Sequence, residues 1–527
     1  MDQTMEKYNL EGKTSYTDNN FNICTYVKLF EYPPKPVFTF SPYDEDADIY
    51  DIISATKDIR GRIEQIEPIN KVTLTDAEQI FNDKLNEVIE SDDDSKINLF
   101  ILPTGIGKTQ FITNMTGSTV TIAAPTNKLK DEIAGRMKSN YVVTPELPEF
   151  DNEELNSRIR YFYSVGVPNK AIKVLYNMVE GIGLSGSSAS DIEKATNYID
   201  ALQCSNNTDK TVLTTHNRIL FTDYRPDTII FDEDPLNHLI DIKQLLISDF
   251  NGLQYIFPEL RQLVNFLELC CPGEIIETQK FNLDLDTLAD KIPLRGLDSN
   301  IFDYFNSRFF IRDIQNSNII HYVVKRDLPK NKKIIILSAS LPLYMYQKLF
   351  GPELNVVDVS DVEQTGKIIQ YTQKSCSRNS LNRYHEKISA RVGDKKVITF
   401  KSFSGCFSNP VENMYFGNCS GYDTLTGQDI VVVGTPHRNN IEYLLTAKVL
   451  GIDFQMADAI MDEQKIEYNG FRFKFNCFNH SELRNIQLAL IESDLIQAVG
   501  RARTLRTNAT VELYSNFPLR ISTEFIY

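Results

Sequence analysis

The sequence predicts an α/β protein made of two parallel-sheet lobes with helical insertions, and three observations predict it. Short runs rich in Ile, Val and Leu recur along the chain: INLFIL (97–102), STVTIAAP (118–125), TVLTT (211–215), DTIIFDED (227–234) and KKIIILSAS (332–340). Continuous apolar runs of this length, rather than alternating ones, suit strands buried on both faces of a parallel sheet. Stretches with helical spacing lie between them, as a sheet covered on both sides requires. The pattern then repeats in KKVITF (395–400), DIVVVGTP (429–436) and TVELYSNFP (510–518). At 527 residues and 60.3 kDa the chain is also too long for a single core.

In chain order, residues 1–70 show no clear period, and EYPPKPVF (31–38) reads as an extended connector. LTDAEQIFNDKLNEVIE (74–90) places Ala77, Ile80, Phe81, Leu85 and Ile89 on one helical face, with Thr75 or Asp76 as the cap. Residues 140–210 read as mostly helical, broken at GIGLSGSSAS (181–190). Residues 236–330 read as helical with irregular segments.

Composition narrows the class. Hydrophobic residues make up 42% and charged residues 24%, which is ordinary globular usage. No apolar run reaches the roughly 18–20 residues that span a bilayer. The start, MDQTMEKYNL, lacks the pattern of a signal peptide. A cytoplasmic protein with no membrane partner is expected. The eight cysteines form no CxxC pair, so buried thiols are expected rather than a zinc site. Net charge is −16, with acid concentrated at 43–48, 90–95 and 145–154. That balance argues against a dedicated duplex binder, but a motor gripping one strand through local contacts can be acidic overall.

The chemistry begins at LPTGIGKT (102–109), between a strand and a helical stretch. Gly105 and Gly107 allow the backbone to curl so that N–H groups face a phosphate, with Thr104 and Ile106 completing the loop. Lys108 reaches the terminal phosphates of a nucleotide such as ATP, and the Thr109 hydroxyl holds Mg²⁺. The general pattern GxxxxGK[ST] has Gly where this chain has Leu102. Such a loop needs an acidic partner on a neighbouring strand, and DTIIFDED supplies Asp232 for the metal and Glu233 to orient and deprotonate water. A strand end with solvated acids is the alternative.

These segments have ordered company. APTNKLKDEI (124–133) resembles helicase motif Ia, VLTTHNRIL (212–220) resembles the segment before the DEAH box of XPD/DinG-like helicases, and FDEDPLN (231–237) stands where that group has DEAHN. IILSASLPLYMYQKLFG (335–351) resembles motif III, and IQAVGRARTLR (496–506) resembles motif VI, QxxGRxxR. On these motifs the chain resembles superfamily 2 helicases of the XPD/DinG-like group; its Trp-free, Asn-, Ile- and Tyr-rich composition points to an AT-rich genome, such as that of a phage or mobile element. The resemblance implies two RecA-like lobes that close on ATP. It divides the chain into an accessory segment (1–70), an ATP-binding first lobe (71–235 and 331–350), an arch-like insertion (236–330) and a second lobe (351–527).

The same resemblance assigns residues. Gln497, Arg501 and Arg503 would meet the γ-phosphate from the second lobe. Gln79 is similar to the glutamine that reads the adenine edge, or is a surface glutamine. Thr126 and His216 match positions near the nucleic acid. In GTPHRN (434–439), Thr435, His437 and Arg438 are further strand-contact candidates, or parts of a structural turn.

Three departures accompany it. DEDP replaces DEAH, Cys204 alone lies where the group has four cluster cysteines, and Thr504 stands where motif VI has its second arginine. Arg503 and Arg506 compete for that role. The implied function is an ATP-dependent helicase or translocase on single-stranded nucleic acid, DNA rather than RNA, working in replication or repair beside replication proteins. The alternative is an ATPase switch that remodels protein partners without unwinding.

Overall fold

The computed structural model describes residues 63–182, 188–292, 296–419, 421 and 424–527, and the backbone of two short strands nearer the start. It divides into two units, 1–57 and 58–527. In the first, Ser15–Thr17 pairs antiparallel with Ile23–Thr25. The connector expected at 31–38 and the centre of the break expected at 181–190 lie outside the described residues.

Within the second unit, the first lobe is a seven-stranded sheet in which every pairing is parallel. Its order runs Leu354–Asp358, Ile97–Ile101, Lys333–Ser338, Thr228–Asp232, Val120–Ala124, Thr211–Thr215, Tyr141–Val143. Because the strands run the same way, the loops beginning at Leu102, Glu233 and Ala339 emerge at one edge. In open parallel sheets that edge is where ligands bind. The strand bearing Ser338 separates the phosphate-loop strand from the acidic one, with Ser338 beside Ile101 and Leu337 beside Asp232.

The helix Leu74–Glu90 has the expected span, but its cap is Thr73, whose hydroxyl accepts from the Asp76 N–H at 3.2 Å. Its buried stripe is Ala77, Phe81, Leu85 and Val88, leaving Ile80 40% exposed. Ile80 lies one residue off a stripe spaced by three and four. Leu354–Asp358 extends the first lobe past the expected boundary at 350 by pairing with Ile97–Ile101.

The second lobe is a six-stranded parallel sheet ordered Pro410–Tyr415, Lys396–Thr399, Ile430–Val433, Thr510–Tyr514, Lys367–Tyr371, Glu524–Ile526. The fold class read from the sequence, two RecA-like parallel-sheet lobes, is the one the chain adopts. Between the helices Asn440–Val449 and Ser481–Val499 the second lobe carries a hairpin, Met461–Tyr468 with Phe471–Phe478. Its Asn469-Gly470 turn has positive φ at both residues, the geometry that a two-residue hairpin loop favours. Glu64–Gln65 adds a third strand.

The expected arch needs correction. Residues 236–330 contain a four-stranded antiparallel sheet, ordered Ile275–Glu277, Phe309–Arg312, Ile319–Lys325, Ile240–Leu246, among short helices. The sheet does not stand alone. Leu245, Phe250, Leu263, Phe310 and Tyr322 share one core with Leu155, Ile159, Phe162 and Leu175 of the helices Glu153–Val165 and Pro168–Val179. Two insertions therefore build one third body, and residues 150–199 leave the first lobe to which the sequence assigned them.

Candidate nucleotide-hydrolysis site

The phosphate loop is anchored at its start, where Leu102 N donates to Ser338 O at 2.9 Å. Gly105 and Gly107 take φ of +95° and +108°, a region costly for any residue with a Cβ. Gly107 precedes the helix Lys108–Asn114 without a side-chain cap, so first-turn N–H groups are left for an outside acceptor.

Lys108 is only 6% exposed, and its Nζ lies 3.1 Å from Glu233 Oε1. A buried ammonium is tolerated when paired. Glu233 is held hard. Its φ of +73° is strained for a side chain of this size, and its N–H is fixed to Leu337 O at 2.9 Å. Its Oε2 accepts from Ser338 Oγ at 3.0 Å. Burial works against the Glu233 charge, but Lys108, Arg501 and the Ser338 hydroxyl outweigh it and hold the carboxyl well below the usual range. Asp232 goes the other way: burial first, then neighbouring Glu233, raises it against the pull of Lys108, Arg503 and Thr109. Two adjacent carboxylates are thus set to different tasks by their surroundings.

Asp232 Oδ1 is buried without a hydrogen-bond partner, while the Thr109 side chain bonds the same carboxyl. An orphaned acceptor beside a hydroxyl at the phosphate loop fits a Mg²⁺ ion completed by phosphate and water oxygens. No group of three or more His, Cys, Asp or Glu is placed to hold a metal among the described residues.

The second lobe closes the site. Gln497 Nε2 donates to Ser340 Oγ at 2.7 Å and to Glu233 Oε2 at 3.4 Å. Arg501, 3% exposed, donates from Nε to Gln497 O at 3.1 Å and from Nη2 to Gln497 Oε1 at 3.3 Å. Arg503 adopts φ +56°, with its Cδ 3.7 Å from the place a Cβ on Gly105 would occupy. A Cβ on Gly500 would stand 2.4 Å from Thr104 Oγ1, so only glycine lets the lobes approach this closely.

The sequence reading underrated Arg506. It donates to the carbonyls of Gly105 and Ile106 in the phosphate loop and pairs with Glu78 on the helix Leu74–Glu90. Asp234, read only as a departure from DEAH, accepts the Tyr346 hydroxyl, and burial pushes its carboxyl up to about 6. A lone Asp or Arg carries no such partner information in sequence.

Other expected residues lie further out or deeper. Gln79 is exposed and bonds Asp83 on its own helix at 2.8 and 2.9 Å. Thr126 is exposed and caps the helix Asn127–Ala134 by accepting from Leu129 N at 3.2 Å. His216, expected near a strand, is fully buried beneath the acidic loop, its Nε2 3.0 Å from Asp232 O; burial lowers its pKa to about 3. Thr435 is likewise buried, bonded to Ser375 O and Ser515 Oγ. Neither reaches the surface, because each serves the end of a buried strand. His437 is partly buried, its Nδ1 3.2 Å from Gln487 Nε2, and burial lowers its pKa to about 4. Arg438 is different: it pairs with Asp494 at 3.3 Å and borders a polar groove of 1060 Å³.

No family model matches the chain, and no curated protein does. Among solved structures it is similar to XPD in its apo form, at 14% identity over 82% of this chain and 96% of that one, with a TM-score of 0.46. Xpd4 of S. tokodaii matches at 12% identity over 83% of this chain and 95% of that one, TM-score 0.42. A DEAD box protein from the hyperthermophile Methanococcus jannaschii matches at 10% identity over 83% and 90%, TM-score 0.23. No helix among the described residues is long and apolar enough to cross a membrane.

Proposed function

We propose that this chain hydrolyses ATP in the cleft between its lobes and uses lobe closure to move along, or unwind, a nucleic acid. One observation carries the reading: Lys108, Glu233 and Ser338 of the first lobe meet Gln497 and Arg501 of the second around a single phosphate loop. Lys108 would bind the β- and γ-phosphates, with Thr104, Gly105, Ile106 and Gly107 wrapping them. Thr109 and Asp232 would hold Mg²⁺, which would neutralise developing phosphate charge. Glu233, kept ionised, would orient and deprotonate the attacking water, and Arg501 and Arg503 would stabilise the charge that forms. Gln79 would read the adenine edge. A single strand, DNA in preference to RNA, would lie along the exposed Thr126 and the half-buried Arg438, in replication or repair and in company with replication proteins.

An ATPase switch that remodels protein partners is the second reading. The burial of His216 and Thr435, two of the expected strand contacts, favours it. Unwinding assays on duplexes with 5′ or 3′ tails, comparing wild type with Glu233→Gln, test the first reading. Unwinding by wild type alone supports it; equal results from both proteins sink it.

A further inference from the structure

Arg438 stands at a wall between two spaces. The groove of 1060 Å³ lies on one side, bordered by the exposed Arg378 and Asn379 and by Asn237 and Asn439. A small cavity of 100 Å³ lies on the other and reaches Glu233, Ser340 and Gln497. Leu236, Asn237, Gly417, Arg438, Leu490 and Asp494 border both. The groove thus comes within one layer of side chains of the hydrolytic carboxylate.

Part of that layer, Leu490 and Asp494, belongs to one helix face. Leu490, Ser493, Asp494 and Gln497 all line the small cavity, and their spacing of three, one and three is a single stripe of the helix Ser481–Val499. Toward one end of the stripe Asp494 pairs with Arg438 at 3.3 Å, and Arg438 Nη1 also reaches Asn237 Oδ1, just past the acidic loop, at 3.5 Å. At the other end, about one helical turn or 5 Å along, Gln497 holds Glu233 Oε2 and Ser340 Oγ. Ser493 Oγ, beside Asp494 on the same stripe, donates to Ser340 O at 2.8 Å. Both Glu233 oxygens are occupied, Oε1 by Lys108 and Oε2 by Ser338 and Gln497, which leaves little room for a water.

We propose that Arg438 and Asp494 are the positioning pair through which a strand in the groove controls Glu233. This rests on the function proposed above. A backbone phosphate entering the groove competes with Asp494 for the Arg438 guanidinium, as charged, planar Arg suits either anion. Asp494 released, the stripe reseats, Gln497 lets go of Glu233 Oε2, and water takes its place. Carboxylates also face this region. Glu442 lies near Arg438, while Asp241 is neutralised by Arg326 and Lys243. Asp494 is the carboxylate bonded to the arginine.

The test uses the full chain with oligo(dT), measuring ATP turnover with and without the strand and strand affinity separately. Couplings between sites typically amount to about 5–150-fold. Asp494→Asn is expected to bring the ratio of stimulated to basal kcat down to about 1 by raising the basal rate, with strand affinity equal to or above that of wild type because the competing carboxylate is gone. Asp494→Glu is expected to restore stimulation, which a merely structural defect would not allow. Arg438→Gln should lower both the ratio and the affinity. If wild type is stimulated and Asp494→Asn is stimulated equally, the pair is not the coupling element, and the proposed function survives. If wild type ignores the strand altogether, both fail.

Discussion

Gly500 of the second lobe faces Thr104 of the phosphate loop so closely that a single added methyl would lie 2.4 Å from the threonine hydroxyl. The contact joins the two parallel sheets at the point where a nucleotide's phosphates are proposed to sit. It also explains why the helix Ser481–Val499 and the turn Gly500–Ala502 after it can bring Gln497 and Arg501 toward Glu233.

Gly500→Ala should therefore hold the cleft open. ATP binding to the first lobe is expected to persist, while kcat falls by about 10²-fold or more, since displacing the second-lobe groups by about 1 Å suffices for such a loss. Thr104→Ala in the same chain removes the hydroxyl and methyl that clash, and should recover part of the rate. Equilibrium binding of a fluorescent ATP analogue beside steady-state turnover measures both; an active Gly500→Ala would contradict the closure described here.

The ion pair of Lys108 and Glu233 ties the proposed phosphate-binding cation to the proposed base. Glu233→Gln keeps the shape but cannot take a proton, so turnover should drop by about 10²–10⁴-fold with ATP still bound. Lys108→Ala should instead weaken ATP binding itself. A phosphate-release assay paired with a binding titration separates the two, and comparable turnover in Glu233→Gln and wild type would remove the carboxylate from the chemistry.

Arg501 and Arg506 differ in burial, and the difference predicts different kinetic signatures. Arg501 is enclosed next to Glu233, so Arg501→Lys should lower kcat by about 10²–10³-fold with little change in KM. Arg506 is exposed and grips the loop carbonyls and Glu78. Its loss should act chiefly on KM for ATP, by no more than several-fold, because exposed pairs contribute about 0–1 kcal/mol. The reverse assignment would follow if Arg506→Ala, and not Arg501→Lys, abolished turnover.

Glu492 offers a test of the fold independent of nucleotide. It lies in the cavity of 550 Å³ near Ser340, accepting from Tyr468 Oη at 2.8 Å, and burial pushes its carboxyl up to about 7. Its folded-state pKa is above the unfolded value, so the folded protein binds the extra proton and stability falls as pH rises from about 4.5 to about 7. Glu492→Gln should raise thermal stability at pH 8 by about 1–2 kcal/mol, discounted for partial solvent access, and change it little at pH 4. Melting curves of both proteins across that range decide it; an unchanged pH dependence would contradict the burial.

What could be read from the sequence follows from where each signal is local. The strand Thr211–Thr215 and the helix Leu74–Glu90 match their expected spans because apolar runs and helical periods are short-range patterns. The loop at Lys108 and the carboxylates at 232 and 233 were legible for the same reason: each is a contiguous motif on a strand end. The third body was not. Its core joins Phe162 to Tyr322, and antiparallel strands such as Phe309–Arg312 are too short to show a period. His216 and Thr435 were misplaced because a motif position gives a residue's neighbours in sequence and not its depth. Nor could the sequence reveal that Arg506 reaches back to Glu78, a pairing between residues 428 positions apart.

The central claim is that hydrolysis in this cleft answers to a nucleic-acid strand. Steady-state ATP turnover of the full chain, measured with and without saturating oligo(dT) at low salt, tests it most directly. A several-fold or greater rise in kcat that Glu233→Gln lacks is expected; turnover indifferent to single-stranded DNA and RNA alike would contradict strand-dependent hydrolysis and leave the protein-remodelling switch.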